Sequence, residues 1–216
     1  RSPAFPIHKN GHYGAFIGRG FDTFDDYRRL LDAVRAEKGD FVKLMISGLI
    51  DFSKAETLTE EGLSPEEIVS MVDAAHDAGF AVMVHANGDS AVAAAVSAGA
   101  ESVEHGAYLS EAVLLQMAKS RTVWVPTLST IGNLIGSGRF PDAVLKALLS
   151  EQQKKIAFAA ANGGSIGLGS DAGAYRVCHG QAACDEYAYL RAALGDGTDA
   201  ILSAAEATIQ NVFSSV

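Results

Sequence analysis

The sequence predicts an α/β fold, a parallel sheet covered by helices, and three observations carry that prediction. From about residue 40 onward, short apolar runs rich in Val, Ile and Met alternate with longer segments of Ala, Leu, Glu and Lys at helical spacing. Cap residues and glycines punctuate the alternation where helices would start and stop. The nearest approach to a phosphate loop, Gly167-Leu168-Gly169-Ser170-Asp171-Ala172-Gly173, has the wrong spacing for a dinucleotide fingerprint and lacks a P-loop Lys. Alternating strands and helices form either a doubly wound open sheet or a closed (β/α) barrel, and the first would usually carry such a loop.

The elements follow in order. Residues 40–48 read as the first strand, with Val42, Leu44 and Ile46 on one face and Lys43, Met45 and Ser47 on the other. Ser64-Pro65-Glu66-Glu67 supplies a cap, a Pro at the first helical position and an acidic first turn for a helix that runs to Ala78 and stops at Gly79. A strand over 80–85 ends on His85. Asp89-Ser90 opens a helix closed by Gly99, and a strand over 102–105 ends on His105. Ser110-Glu111 opens a helix to Lys119, followed by a strand over 123–127 and a longer helix over 141–161 that Asn162-Gly163-Gly164 terminates. A strand over 165–171 places Ser165, Gly167, Gly169 and Asp171 on one face, and helices over 181–194 and 199–211 complete the series.

Composition excludes several function classes. The 216 residues are 48% hydrophobic, enough for one sizeable core, and one domain over 1–216 is the reading. Seventeen Lys and Arg against 26 Asp and Glu leave a net charge of -9, which gives nucleic acid no electrostatic footprint. The longest apolar run, residues 91–100, contains Ser97 and Gly99 and is too short to span a bilayer, so no membrane partner is expected. Cys178 and Cys184 cannot build a disulfide framework, which favours a reduced, cytoplasmic protein. The chain starts at Arg1, so its start carries no information on a signal peptide. No Gly-x-Ser-x-Gly elbow occurs, which removes the α/β-hydrolase nucleophile.

Strand phase supplies the candidate site. Lys43, His85, His105 and Asp171 are expected on small-residue faces at strand ends, which in a barrel is where active sites sit. Two imidazoles and a carboxylate suit zinc or a similar divalent ion. A Lys buried beside such an ion is expected to be neutral, and a neutral amine can capture carbon dioxide as a carbamate, an anionic oxygen ligand. Glu104, alternating with His105, is expected to point to the helix side, and Asn87 either contacts substrate or starts the next helix. His76 reads as a mid-helix residue.

Val42-Lys43, Val84-His85-Ala86-Asn87-Gly88, Ser102-Val103-Glu104-His105-Gly106-Ala107-Tyr108-Leu109 and Gly169-Ser170-Asp171-Ala172-Gly173 resemble the successive metal-ligand strands of the amidohydrolase superfamily. The branch is that of Xaa-Pro dipeptidases and imidazolonepropionase-like proteins, and the resemblance runs from Asn10-Gly11-His12 to Ala207-Thr208. It implies a (β/α)8 TIM barrel with two divalent metals, usually zinc, bridged by Lys43 as its carbamate. His85 and His105 would hold one metal, and Asp171 would bind the other while acting as general acid and base. Mononuclear imidazolonepropionases lack this Lys, so Lys43 favours the dipeptidase side. By the same resemblance His12 and Tyr108 would hold a substrate carboxylate or carbonyl. Arg176 and His179, in the loop after Asp171, are further substrate-binding candidates.

One departure stands out. The family's deeper metal also uses a His-x-His pair on the first barrel strand, and this sequence has none; His8 and His12 are four apart across Gly11. A full barrel takes about 250 residues and only five strands are read here, so the chain is expected to be a partial barrel without the relatives' β-sandwich. The expected function is hydrolysis of amide bonds in dipeptides or N-acyl amino acids by water activated at the metals. The alternative is a non-catalytic barrel fragment or subunit that needs a separate N-terminal segment to complete the metal site; a homo-oligomer is the other partner considered.

Overall fold

A computed structural model describes residues 2–213. Seven strands form one wholly parallel sheet: β1 (Pro6–Lys9), β2 (Arg19–Phe21), β3 (Val42–Met45), β4 (Val82–Ala86), β5 (Ser102–His105), β6 (Val123–Val125) and β7 (Ser165–Ile166), in the order β2-β1-β3-β4-β5-β6-β7. The helices are α1 (Phe24–Ala36), α2 (Pro65–Asp77), α3 (Asp89–Ser97), α4 (Glu111–Ala118), α5 (Ser129–Gly132), α6 (Asp142–Ala161), α7 (Gln181–Leu194) and α8 (Thr198–Val212). Every strand the sequence predicted is present. The sequence reading missed two strands and a helix before residue 40, and placed strand ends too late: β6 stops at Val125 and β7 at Ile166, leaving Thr127 and Asp171 in loops.

Parallel register fixes which residues share a face. Lys43, Met83, Ser102, Val123 and Ser165 stand side by side across β3 to β7, and Met45, His85, Glu104 and Val125 form the next row. Leu44, Val84, Val103, Trp124 and Ile166 lie on the other face, fully or almost fully buried with the inward stripes of the helices. This second face holds the main core. Burial of one such side chain contributes about 1.5–3 kcal/mol, and its continuity across five strands fixes the register, since a one-residue slip would exchange the faces.

Glu104 is therefore not on the helix side. It shares the row of His85, and Val103 takes the helix side instead. The physical reason is the backbone: His105 has φ 72 and Gly106 has φ 62, so the chain leaves the strand in the left-handed region and regular alternation ends there. A Cβ on Gly106 would lie 2.5 Å from the Trp124 indole nitrogen, which makes glycine the residue that fits.

Helix α8 has a distinct position. Ala205 and Ile209 pack with Val123 and Val125 in a small cluster separate from the main core, over the Lys43-bearing face of the sheet. At its end, Phe213 meets Phe41, just before β3, with ring centroids 5.1 Å apart.

Candidate active site

A cavity of about 750 Å³ opens where the strands end, and Lys43, His85, His105 and Asp171 all line it. They come from β3, β4, β5 and the loop after β7, so segments distant in sequence meet at one cavity. The imidazoles of His85 and His105 stand edge to face, centroids 4.5 Å apart.

Each side chain is held by identifiable partners. His85 is 1% exposed; its Nε2 lies 3.2 Å from the Gly48 carbonyl, and Tyr13 packs on its ring at 4.7 Å. Burial pushes the His85 imidazole down to about 3, with Lys43 acting in the same direction. His105 turns toward His85 through its left-handed backbone, its carbonyl accepting the Trp124 indole N–H at 2.9 Å. Its Nδ1 lies 2.6 Å from the Thr127 hydroxyl. Burial, then His85 and Lys43, holds it well below the usual histidine range. Asn87 ties the floor together: its amide donates to Gly48 O at 3.0 Å, its side-chain oxygen accepts from Ala107 N at 2.9 Å, and its backbone N–H donates to Ser47 Oγ at 2.8 Å.

Lys43 shares its surroundings with two acids. Burial lowers its amine, opposed by Glu104 and Asp171. Burial raises Glu104, which accepts a hydrogen bond from Ser102 Oγ at 2.9 Å, and Lys43 partly offsets the rise. Asp171 sits at the rim with φ 53; partial desolvation raises its carboxyl and Lys43 opposes it. Its charge, after burial, helps push Tyr13 up to about 12.

The other predicted residues fall elsewhere. His12, Tyr108, Arg176 and His179 are not among the side chains lining the cavity. His12 faces Glu60 at 3.9 Å, while its neighbour Tyr13 takes the place against His85. The Tyr108 hydroxyl meets the backbone of Thr57 and Glu56. Arg176 and His179 are exposed on the loop after β7. His8 is buried on β1, bonded to its own chain through Lys9 O at 3.1 Å. Sequence reasoning missed Tyr13, Thr127 and Arg139. Only the Tyr next to His12 carried a readable signal, since Thr127 acts through a loop contact and Arg139 through a distant one.

The donor chemistry fits a divalent ion in part. Coordination needs unprotonated imidazoles, and burial keeps both neutral. Thr127 occupies Nδ1 of His105, which leaves Nε2 as its coordinating atom. Among the described residues, however, no three His, Cys, Asp or Glu side chains form a complete metal cage.

Comparison with known proteins gives this arrangement a context. Residues 17–211 match the profile described as the Amidohydrolase family. An uncharacterized protein of Mycobacterium tuberculosis is 31% identical over 134 residues, covering 59% of this chain and 36% of its own length. Ochratoxinase of Aspergillus niger is 29% identical over 166 residues, covering 74% of this chain and 34% of the relative. The crystal structure of that ochratoxinase superposes with a TM-score of 0.74 at 25% identity, over 91% of this chain and 44% of that one. A Xaa-Pro dipeptidase with bound methionine gives a TM-score of 0.72 at 23% identity, over 90% and 48%, a likeness of fold. The chain spans about a third of the length of these curated relatives.

Proposed function

Because the chain belongs to the amidohydrolase family, with the open parallel sheet as part of a (β/α) barrel, we propose that it hydrolyses amide bonds of small substrates, dipeptides or N-acyl amino acids. The observation that carries this reading is the convergence of Lys43, His85, His105 and Asp171 on one cavity with both imidazoles neutral. A divalent ion such as zinc, held by His85 and His105, would polarise a carbonyl and lower the pKa of water. Lys43, its amine driven toward neutrality by burial, is suited to add carbon dioxide, losing a proton to give a carbamate oxygen donor. Asp171 takes the proton of the attacking water and delivers it to the leaving nitrogen. Its raised carboxyl brings that exchange nearer neutral pH.

The test joins metal titration with mass analysis. Purified protein is expected to bind zinc and to gain the mass of one carbon dioxide at Lys43, and Lys43→Ala to lose the adduct and the dipeptide hydrolysis. Absence of bound metal together with hydrolysis unaffected by Lys43→Ala would sink the reading. A second reading is favoured by the lack of a three-donor cage among the described residues: the site is completed by a further segment carrying the missing ligands. Zinc bound without hydrolysis, with activity restored on adding such a segment, is its expected signature.

A further inference from the structure

The mouth of the cavity has a composition that the chemistry below it does not require. Six large apolar side chains are exposed among the described residues, and four of them, Phe16, Ile17, Leu49 and Tyr175, line this one cavity. Phe16 is 69% exposed and Tyr175 53%, a concentration that marks a binding surface rather than scattered surface residues. Phe52, from the segment after β3, packs against Phe140, from the loop before α6, with centroids 5.3 Å apart.

One cation sits within this aromatic rim. The Arg139 guanidinium lies 4.7 Å from the Tyr175 ring centroid and 5.4 Å from that of Phe140. Rings from two loops thus hold its position, an arrangement worth about 0.5–1 kcal/mol at an exposed site. Among the described residues no carboxylate forms an ion pair with it. Its loop is also pinned: Arg139 N donates to Ser137 Oγ at 3.2 Å and Gly136 N to Asp142 Oδ1 at 2.8 Å. A guanidinium packed on aromatic rings keeps its edge N–H groups for an oxygen ligand, and the planar fork matches a carboxylate.

We propose that Arg139, with Tyr175, Phe140 and Phe52, forms a subsite that reads a free carboxylate next to a large apolar or aromatic side group of the substrate. This rests on the hydrolase reading and narrows it. The amides taken are those whose product is an apolar or aromatic amino acid with a free carboxyl. It also gives the carboxylate a receptor within the cavity, where His12 and Tyr108 are not.

Equilibrium binding separates this subsite from catalysis. The probes are N-acetylphenylalanine and its neutral carboxamide, titrated against the zinc-supplemented full chain by calorimetry. Wild type is expected to bind the acid at least about tenfold tighter than the amide, a bidentate charged contact. Arg139→Gln is expected to abolish that preference, and Arg139→Lys to restore part of it. Thermal melts of both variants are expected to match wild type, because the side chain is exposed. Equal binding of the two probes by wild type, binding of neither, or a preference surviving in Arg139→Gln and so residing in Lys43, overturns the proposal. Acid preference intact with no amide hydrolysis under any metal would instead count against the hydrolase reading and leave the subsite standing.

Discussion

At the scale of single residues, the Thr127 hydroxyl fixes which imidazole nitrogen of His105 is available. Thr127 holds φ 50, unfavourable for a β-branched residue, and is 2% exposed, so its place is set by surrounding structure. Thr127→Val is isosteric and removes only the hydroxyl; it is expected to weaken zinc binding about 10- to 100-fold with little change in fold, measured by chelator competition. His85 makes a pH prediction. Its folded pKa lies near 3 and its unfolded one near 6.5, so the unfolded chain binds the extra proton. Its contribution is complete above about pH 6.5 and is lost as pH falls below it, by up to about 1.4 kcal/mol per unit. Urea unfolding of metal-free protein should show the slope, and His85→Asn should reduce it; an identical slope in the variant would refute the assignment. His85 and His105 were legible as imidazoles at the ends of β4 and β5, whereas Asp171, read as the end of a strand, lies in the loop after β7. The face of Glu104 was not legible, because it depended on a left-handed turn at His105 that period-two reading cannot see.

At the scale of elements, a buried carboxylate on α7 organises the loop that carries Thr127. Glu186 is 0% exposed and accepts from Leu128 N at 2.9 Å, Ser129 N at 2.7 Å and Ser129 Oγ at 2.7 Å, capping the start of α5. Burial raises its carboxyl against these bonds. Glu186→Leu would strand two buried backbone donors, each costing about 1–3 kcal/mol, while the Ser129 hydroxyl keeps the Ala182 carbonyl at 3.2 Å. The substitution is expected to lower stability by at least about 2 kcal/mol in urea unfolding. A loss below about 1 kcal/mol would show that water replaces the carboxylate. Helix α1 teaches a different lesson. Its capping box of Thr23 and Asp26 and its stripe of Tyr27, Leu31 and Val34 were all in the sequence, yet the flanking strands β1 and β2 hide the alternation. They are four and three residues long and contain Pro6 and Gly20 respectively, so no period-two pattern announces the helix. Thr23→Ala is expected to cost about 1 kcal/mol, read as a shift in the urea midpoint.

At the scale of the whole molecule, the sheet has two edges among the described residues, β2 and β7, and one face carries both the site and α8. In a closed barrel that face lines a packed interior. Here α8 covers part of it, reaching from Val123 and Val125 on β6 to Phe41 before β3. Glycine makes the approach close: a Cβ on Gly167 would sit 3.0 Å from Val123, 3.2 Å from Val125 and 3.4 Å from Ile209. The strand it anchors is only two residues long, so β7 depends on this helix more than on its own ladder to β6. Because the Asp171 loop leaves from β7, α8 is coupled to the position of a proposed catalytic carboxylate. Ile209→Ala removes the partly buried contact without placing a charge on the sheet and is expected to cost about 1–2 kcal/mol, below the range for a fully buried Ile. The more discriminating reading is local. Amide exchange at Ser165 and Ile166 should accelerate in Ile209→Ala, while that at Val84 and Val103, sealed in the main core, should change only with global stability. Uniform acceleration at all four amides would mean that α8 stabilises the molecule as a whole and does not specifically fasten the strand beneath Asp171.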